Sequence, residues 1–293
     1  MKIAITSGKG GTGKTTVSTG LFHVLTKYLK YNVQLLDCDV EEPDCHIFIK
    51  ASVTDIFPVT ISIPQIDVSK CTFCGKCKEI CAFNAIIMLP TVNFIEVVSD
   101  MCHGCGACSY VCEEKAIIER EREIGSITHH DYYAKDEFIE GRMKVGSALQ
   151  TRVIRETIRH AQQEGIILYD SPPGTSCPVI ATVSKADYVL LVTEPTPFGL
   201  YDLQLMVETV KTVGKKHGIV INKAGFNYQP LYDYIKKEEI PLLGEIPFSK
   251  EYAKAYSTGK ILPEHDPGLR NLFQIIIKQV IHEETVRDSP VKR

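Results

Sequence analysis

The sequence predicts an α/β protein: a mostly parallel sheet covered by helices, interrupted by a small α+β module rich in cysteine. Three observations carry this. Strand-sized apolar runs alternate with helix-length stretches along most of the 293 residues, the pattern of a parallel sheet with helices on both faces. The glycine-rich segment SGKGGTGKTT, Ser7 to Thr16, follows the first of these runs directly. Eight of the 11 cysteines fall between Cys71 and Cys112. The length suits one large core plus a small additional unit.

Taken in order, KIAITS is apolar and β-branched and predicts a buried strand. Beyond the glycine-rich turn, Val17, Leu21, Val24, Leu25 and Tyr28 recur at helical spacing, and NVQLLD predicts a second strand. The cysteine block comes next, bracketed by VTISIPQIDVS and by the charged run ERERE at Glu119–Glu123. The alternation then resumes with GIILYD, DYVLLVT and GIVINK as strands separated by helix-length stretches. RNLFQIIIKQVI, Arg270 to Ile281, predicts a final packing helix before a polar tail expected to fray. The expected division is therefore 1–64 and 119–293 for a discontinuous nucleotide-binding domain, with an inserted module at 65–118.

Composition narrows the function classes. A formal charge of -3 gives no general attraction to nucleic acid or anionic membrane, so no nucleic-acid partner is expected. The start MKIAITS lacks the apolar stretch of a secretory signal, and the longest apolar runs, such as YVLLV, are strand-sized. The expectation is a cytoplasmic protein with no membrane span. In that setting, cysteines clustered at short fixed spacing indicate metal rather than crosslinks.

Gly8, Gly13, Lys14 and Thr15 satisfy G-x-x-x-x-G-K-[ST] between a strand and a helix. Glycines let the backbone N–H groups of such a loop, which includes Gly10, Gly11 and Thr16, turn toward phosphate oxygens. The helix N-terminus behind them adds its positive end. Lys14 is placed for the β- and γ-phosphates of ATP, and the Thr15 hydroxyl for Mg²⁺. The alternative, a glycine-rich turn without a ligand, would not require the full pattern in this context.

The second lysine of the loop, Lys9 in KGGTGKTT, resembles that of the deviant Walker A loop in the MinD/ParA/Mrp ATPases and the nitrogenase iron protein. The resemblance spans most of residues 1–63 and 141–259. It implies an ATP-dependent homodimer in which Lys9 reaches the partner's phosphates, the charge-stabilising part an arginine finger plays elsewhere. In LLDCDVEEPD it implies that Asp39 orients the attacking water, with Asp37 and Asp44 near the Mg²⁺ waters. In IILYDSPPGTS it implies Asp170 as a water-mediated Mg²⁺ ligand and the Gly174 N–H as a γ-phosphate sensor. Asn222 in VINKAGF and Pro247 in GEIPFSKEYAKAYSTG fall where the family contacts the base.

Inside the cysteine block, VSKCTFCGKCKEICAFNAII is repeated as VSDMCHGCGACSYVCEEKAII with one residue inserted. Cys71, Cys74, Cys77 and Cys81 follow C-x2-C-x2-C-x3-C, as do Cys102, Cys105, Cys108 and Cys112. In such doubled runs the fourth cysteine ligates the other cluster. One [4Fe–4S] cluster would take Cys71, Cys74, Cys77 and Cys112, the other Cys102, Cys105, Cys108 and Cys81. Zinc is the rival metal, because C-x2-C pairs also build tetrahedral sites. The module resembles a bacterial two-cluster ferredoxin but lacks its proline after the fourth cysteine, having Ala82 and Glu113 instead.

Of the remaining cysteines, Cys177 lies where the nitrogenase iron protein ligates a cluster, with a buried small hydrophobe as the alternative. Cys38 and Cys45 are expected to pack, and His129 and His130 to be solvated loop residues. Both motif sets together imply ATP-gated electron delivery to a partner metalloprotein or metallocofactor-assembly system. An iron–sulfur carrier of the Mrp kind is the second reading, although no cysteine pair follows Cys112. A positioning ATPase of the MinD or ParA kind is the third, although the C-terminal stretch carries mixed charge.

Overall fold

The computed structural model describes residues 1–133 and 136–285. Of the polar tail expected to fray after Ile281, residues 282–285 continue the last helix and the rest lies outside the described residues. In chain order the elements begin with β1 (Lys2–Thr6), α1 (Lys14–His23, continued by a π-helical turn over Val24–Tyr28), β2 (Val33–Asp37), α2 (Cys45–Phe48) and β3 (Ser52–Ile66). Next come α3 (Lys76–Glu79), β4 (Ile86–Leu89), β5 (Phe94–Val97), α4 (Ala107–Tyr110), β6 (Ile117–Tyr133) and β7 (Asp136–Met143). Then follow α5 (Gln150–Arg159), β8 (Ile166–Asp170), α6 (Cys177–Val183), β9 (Tyr188–Thr193), α7 (Pro197–Thr212) and β10 (Lys216–Ala224). The chain continues through α8 (Gln229–Lys237), β11 (Leu242–Pro247), α9 (Lys250–Ser257), α10 (Leu262–His265) and α11 (Pro267–Thr285).

Two compact units emerge. The first comprises Met1–Ile56, Ile127–Arg142 and the chain from Ile154 onward; the second comprises Phe57–Ser126 and Met143–Val153. The large sheet has the order β11-β10-β9-β1-β8-β2-β7-β6-β3. From β11 to β7 its pairings are parallel. The central strands β1, β2, β8 and β9 are buried almost throughout, which is why they read as continuous apolar runs rather than alternating ones.

Helix α1 packs into the same core. Its Gly20 lies so close to α11 that a Cβ there would stand 2.5 Å from the Phe273 ring. On α11, Phe273, Ile276, Ile277 and Val280 are fully buried, the i, i+3, i+4, i+7 stripe of a helix lying on a core.

In the second unit, a small cluster of buried residues gathers Cys77, Ile86, Met88, Ile95 and Cys108, and Val59, Ile61 and Ile124 are buried on β3 and β6. Its β4 and β5 form an antiparallel pair with Ile86 opposite Val97 and Met88 opposite Ile95. The sequence repeat is also a backbone repeat. Positive φ occurs at Phe73 and Gly104, at Gly75 and Gly106, and at Asn84 and Lys115. Each pair is separated by the same 31 residues that separate Cys71 from Cys102.

The ERERE run that brackets the cysteine block is part of β6, where Arg120 reaches Gln65 and Arg122 reaches Asp100. One expectation needs correction: His129 and His130 are also β6 residues, not solvated loop residues. His129 contacts Glu137 and lies 2.7 Å from His160, while buried His130 stacks on Phe138. Among the described residues, no helix is long and apolar enough to cross a membrane.

Candidate functional site

The candidate nucleotide site lies where the parallel strands β1, β8 and β2 end together. Asp37 and Asp170 are register neighbours on β2 and β8, at the carboxyl edge where ligands of open α/β sheets bind. The loop from Ser7 to Gly13 joins β1 to α1. Gly13 has φ +98, and a Cβ on it would lie 2.1 Å from Asn222 Nδ2. Only glycine suits that position, on backbone and on steric grounds. The Asn222 side chain donates to the Thr12 carbonyl at 2.8 Å, tying β10 to the loop. Gly8 is constrained by sterics alone, since a Cβ there would meet Asp202 at 2.5 Å, whereas Gly10 has open space. Gly11 has φ +75, and its carbonyl accepts from Lys223 Nζ at 3.0 Å.

Lys14 is buried, its Nζ 3.6 Å from Asp39 Oδ2. Burial alone would lower the Lys14 pKa, but Asp170, Asp39 and Asp37 outweigh it and raise the value. Asp39 departs upward from an ordinary carboxylate. Burial pushes it up to about 6, opposed by the Lys14 charge.

Behind these residues, Asp170 is fully buried and accepts from Thr15 Oγ1 at 2.9 Å and Ser18 Oγ at 2.7 Å. The Cys45 thiol donates to the same carboxylate at 3.4 Å, and the Cys45 N–H donates to Asp37 at 3.0 Å. Candidate ligand atoms of Asp37, Cys45 and Asp170 all lie within 4.8 Å of one another. Burial, then the Asp170 charge, raises Asp37 well above the usual carboxylate range. A divalent cation suits such a corner, because it would replace proton sharing between crowded carboxylates.

Gly174 has φ +92 and donates its N–H to the Ser7 carbonyl at 2.9 Å. Lys9 Nζ is 2.7 Å from Glu194 Oε1. Thr16, Asn222 and Pro247 line a cleft of about 250 Å³ together with Gly11, Gly13, Phe248, Tyr252 and Tyr256. Asp44 is half-buried and stands just before α2.

The predicted residues Lys14, Thr15, Asp39 and Asp170 therefore meet in one corner, with Asn222 and Pro247 in the adjoining cleft. Sequence reasoning missed Ser18, Cys45, Glu194 and Lys223. Ser18 carried a signal, since it follows Thr15 by three residues and so shares its helix face. Cys177 is neither buried nor drawn into this corner; it is exposed at the start of α6. Cys38 and Cys45 are both buried, as expected; what was not foreseen is the contact of Cys45 with Asp37 and Asp170.

The eight module cysteines line two cavities. Cys71, Cys74, Cys77 and Cys112 share the first; Cys81, Cys102, Cys105 and Cys108 share the second. All eight are free thiols. Backbone N–H groups already aim at the sulfurs: Phe73 N–H donates to Cys71 Sγ at 3.4 Å, Ala85 N–H to Cys81 Sγ and Ala116 N–H to Cys112 Sγ at 3.3 Å. Such donors stabilise thiolate over thiol, the state in which cysteine ligates metal. Burial pushes the thiols of Cys77 and Cys108 up, a shift that a cation in their cavities would oppose. Four sulfurs converging on each cavity, with inward N–H groups, fit an iron–sulfur cluster. The mouth of the first cavity carries a Lys76–Glu113 ion pair at 2.5 Å, and Phe83 stacks on His103 at 3.7 Å beside the second.

The nucleotide binding domain shared by CobQ, CobB, MinD and ParA matches residues 3–262. An uncharacterized protein of Methanocaldococcus jannaschii is 36% identical over 232 residues, covering 78% of this chain and 79% of that protein. Among solved structures, the cell division ATPase MinD of Pyrococcus furiosus superposes with a TM-score of 0.58 at 20% identity, covering 95% of this chain and 98% of that one. The septum site-determining protein MinD of Pyrococcus horikoshii, complexed with Mg-ADP, gives a TM-score of 0.59 at 18% identity, with 95% of both chains covered. Both structures share the fold of this chain.

Proposed function

Because the chain belongs to the CobQ/CobB/MinD/ParA nucleotide-binding family, we propose that it is a Mg²⁺-dependent ATPase that closes as a homodimer around ATP and gates electron delivery from two resident [4Fe–4S] clusters. The recipient would be a partner metalloprotein or a metallocofactor-assembly enzyme.

For the ATPase half, the chain's own groups supply the steps. Lys14 now neutralises Asp39 at 3.6 Å. An incoming triphosphate competes for that amine and releases Asp39 to orient water. Thr15 and Asp170 would hold Mg²⁺, which neutralises phosphate charge. The Gly174 N–H, now given to Ser7, would turn to the γ-phosphate and so report its presence.

For the redox half, a cluster in each cavity would supply one-electron transfer. The single observation that carries this reading is the sorting of the cysteines. Each cavity takes three from one repeat and the fourth from the other, which is the ligand set of a two-cluster module and not of two independent C-x2-C zinc sites. The test is anaerobic purification with iron analysis and EPR of reduced protein, with and without ATP. About eight irons per chain are expected. Cys112→Ser is expected to remove the signal that Cys71→Ser removes, leaving the one that depends on Cys102. If Cys112→Ser instead removes the Cys102-dependent signal, or the metal is zinc, the redox half fails.

A further inference from the structure

Resting on the dimeric reading above, we infer that Glu194 is a latch that parks Lys9 within its own protomer until ATP closes the dimer. Lys9 Nζ lies 2.7 Å from Glu194 Oε1, with side-chain exposures of 34% for the lysine and 13% for the glutamate. The carboxylate is thus the more covered member of the pair and the amine the more accessible one. The Phe198 ring lies 5.9 Å from the same amine, a second weak hold.

Glu194 is fixed because it sits in a tight turn between β9 and α7. Its carbonyl accepts from the Thr196 N–H at 2.8 Å. Gly199 crowds it so closely that a Cβ there would stand 2.1 Å from that carbonyl oxygen. Its second carboxylate oxygen, Oε2, accepts from Lys223 Nζ at 3.0 Å. Lys223 in turn donates to the Gly11 carbonyl at 3.0 Å, so this second cation belongs to the frame of the phosphate loop. Burial alone would raise the Glu194 pKa, but Lys9 and Lys223 hold it below the usual range, which keeps the carboxylate charged.

A half-buried carboxylate shared by two lysines, one of which also donates to the Gly11 carbonyl, differs from an ordinary ion pair. When Lys9 leaves, Glu194 keeps Lys223, so release does not leave the carboxylate unpaired and its cost stays small. An amine held in cis cannot also reach a partner's phosphates, so each protomer must break this contact before closure. The triphosphate of the facing protomer is the competing anion. The latch therefore sets how much ATP the dimer requires.

The experiment measures the ATP-analogue concentration for half-maximal dimer formation by analytical ultracentrifugation, using a non-hydrolysable analogue. Glu194→Gln keeps the shape and removes the charge, and its midpoint is expected to fall about 3- to 10-fold, two partly exposed contacts being removed per dimer. Adding Lys9→Gln to it is expected to abolish the dimer. Amine labelling of the nucleotide-free monomer, read by mass spectrometry, is expected to rise severalfold at Lys9 without a matching rise at Lys14. A general loosening of the loop would raise both. Should Glu194→Gln not fold, Glu194→Asp retains the charge while drawing it back from Lys9, and is expected to shift both readouts in the same direction.

If the unaltered protein dimerises but neither midpoint nor labelling moves in the variants, the latch is wrong and the dimeric reading stands. A rise in labelling at Lys14 equal to that at Lys9 also overturns the latch. If the unaltered protein stays monomeric at saturating analogue, the dimeric reading falls and the latch with it.

Discussion

At the corner where β1, β8 and β2 end, three carboxylates share one buried space, and their titration decides when the site works. Burial holds Asp39 at about 6 although Lys14 opposes it. Water orientation needs the ionised form, which predominates only above that value. ATPase kcat/KM, which reports the free enzyme, is therefore expected to fall as pH drops through about 6. Asp39→Asn is expected to lose about 100-fold or more of the rate, together with that acid limb. A rate flat from pH 5 to 7 would remove Asp39 from its role. The loop glycines give a sharper contrast. Gly13→Ala places a methyl 2.1 Å from Asn222 Nδ2 at a φ of +98, and is expected to cost about 1–3 kcal/mol in denaturant unfolding and to abolish nucleotide binding. Gly10→Ala meets nothing within 4 Å and is expected to leave stability within about 0.5 kcal/mol. Lys14 and Thr15 were legible from the loop pattern, and Asp170 and Asn222 from the family resemblance of the segments that carry them; the structure brings Asp170 to Thr15 and Asn222 to the loop. Cys45 and Glu194 were not, because a lone cysteine or glutamate carries no spacing signal and reaches its partners only through tertiary folding.

At the level of helices and strands, legibility followed burial. Strands β1, β2, β8 and β9 are covered on both faces, so their sequences are unbroken apolar runs that periodicity reads directly. The 15-residue β3 and the 17-residue β6 escaped notice. Most of β3 is exposed, and ERERE within β6 is made of residues that favour helix by propensity; only pairing makes them strand. The same ambiguity placed His129 and His130 in a loop. Helix packing is the more predictable part. Because a Cβ at Gly20 would stand 2.5 Å from the Phe273 ring, Gly20→Ala is expected to destabilise by about 1–3 kcal/mol through overpacking. Phe273→Ala, which empties a fully buried site, is expected to cost about 3–5 kcal/mol. Combined, they are expected to cost less than the sum of the two, because the new methyl fills part of the space the ring vacates. Strict additivity in urea unfolding would show that α1 and α11 do not couple through this contact.

For the molecule as a whole, the two units face different stability problems. The first buries a large contiguous core and has no need of metal to fold. The second has a cysteine-side cluster of only five buried side chains, two of them cysteines, built on a two-stranded sheet of four-residue strands, with a few further buried residues such as Val59, Ile61 and Ile124 on β3 and β6. A core that small does not offset the conformational entropy of so many ordered residues without a staple. All eight module cysteines are free, so no disulfide supplies one, and ligand bonds from their sulfurs would make metal binding part of the folding energy. Anaerobic calorimetry of the metal-loaded protein is therefore expected to show two transitions. Removing the metal with chelator under oxidising conditions should abolish one of them and open residues 57–126 to proteolysis. The remaining transition should persist and rise with added Mg-ADP, as ligand binding to the folded first unit requires. If the cysteine unit stays protected from proteolysis after its metal is gone, its fold owes nothing to those eight sulfurs. Their convergence on two cavities would then need another cause.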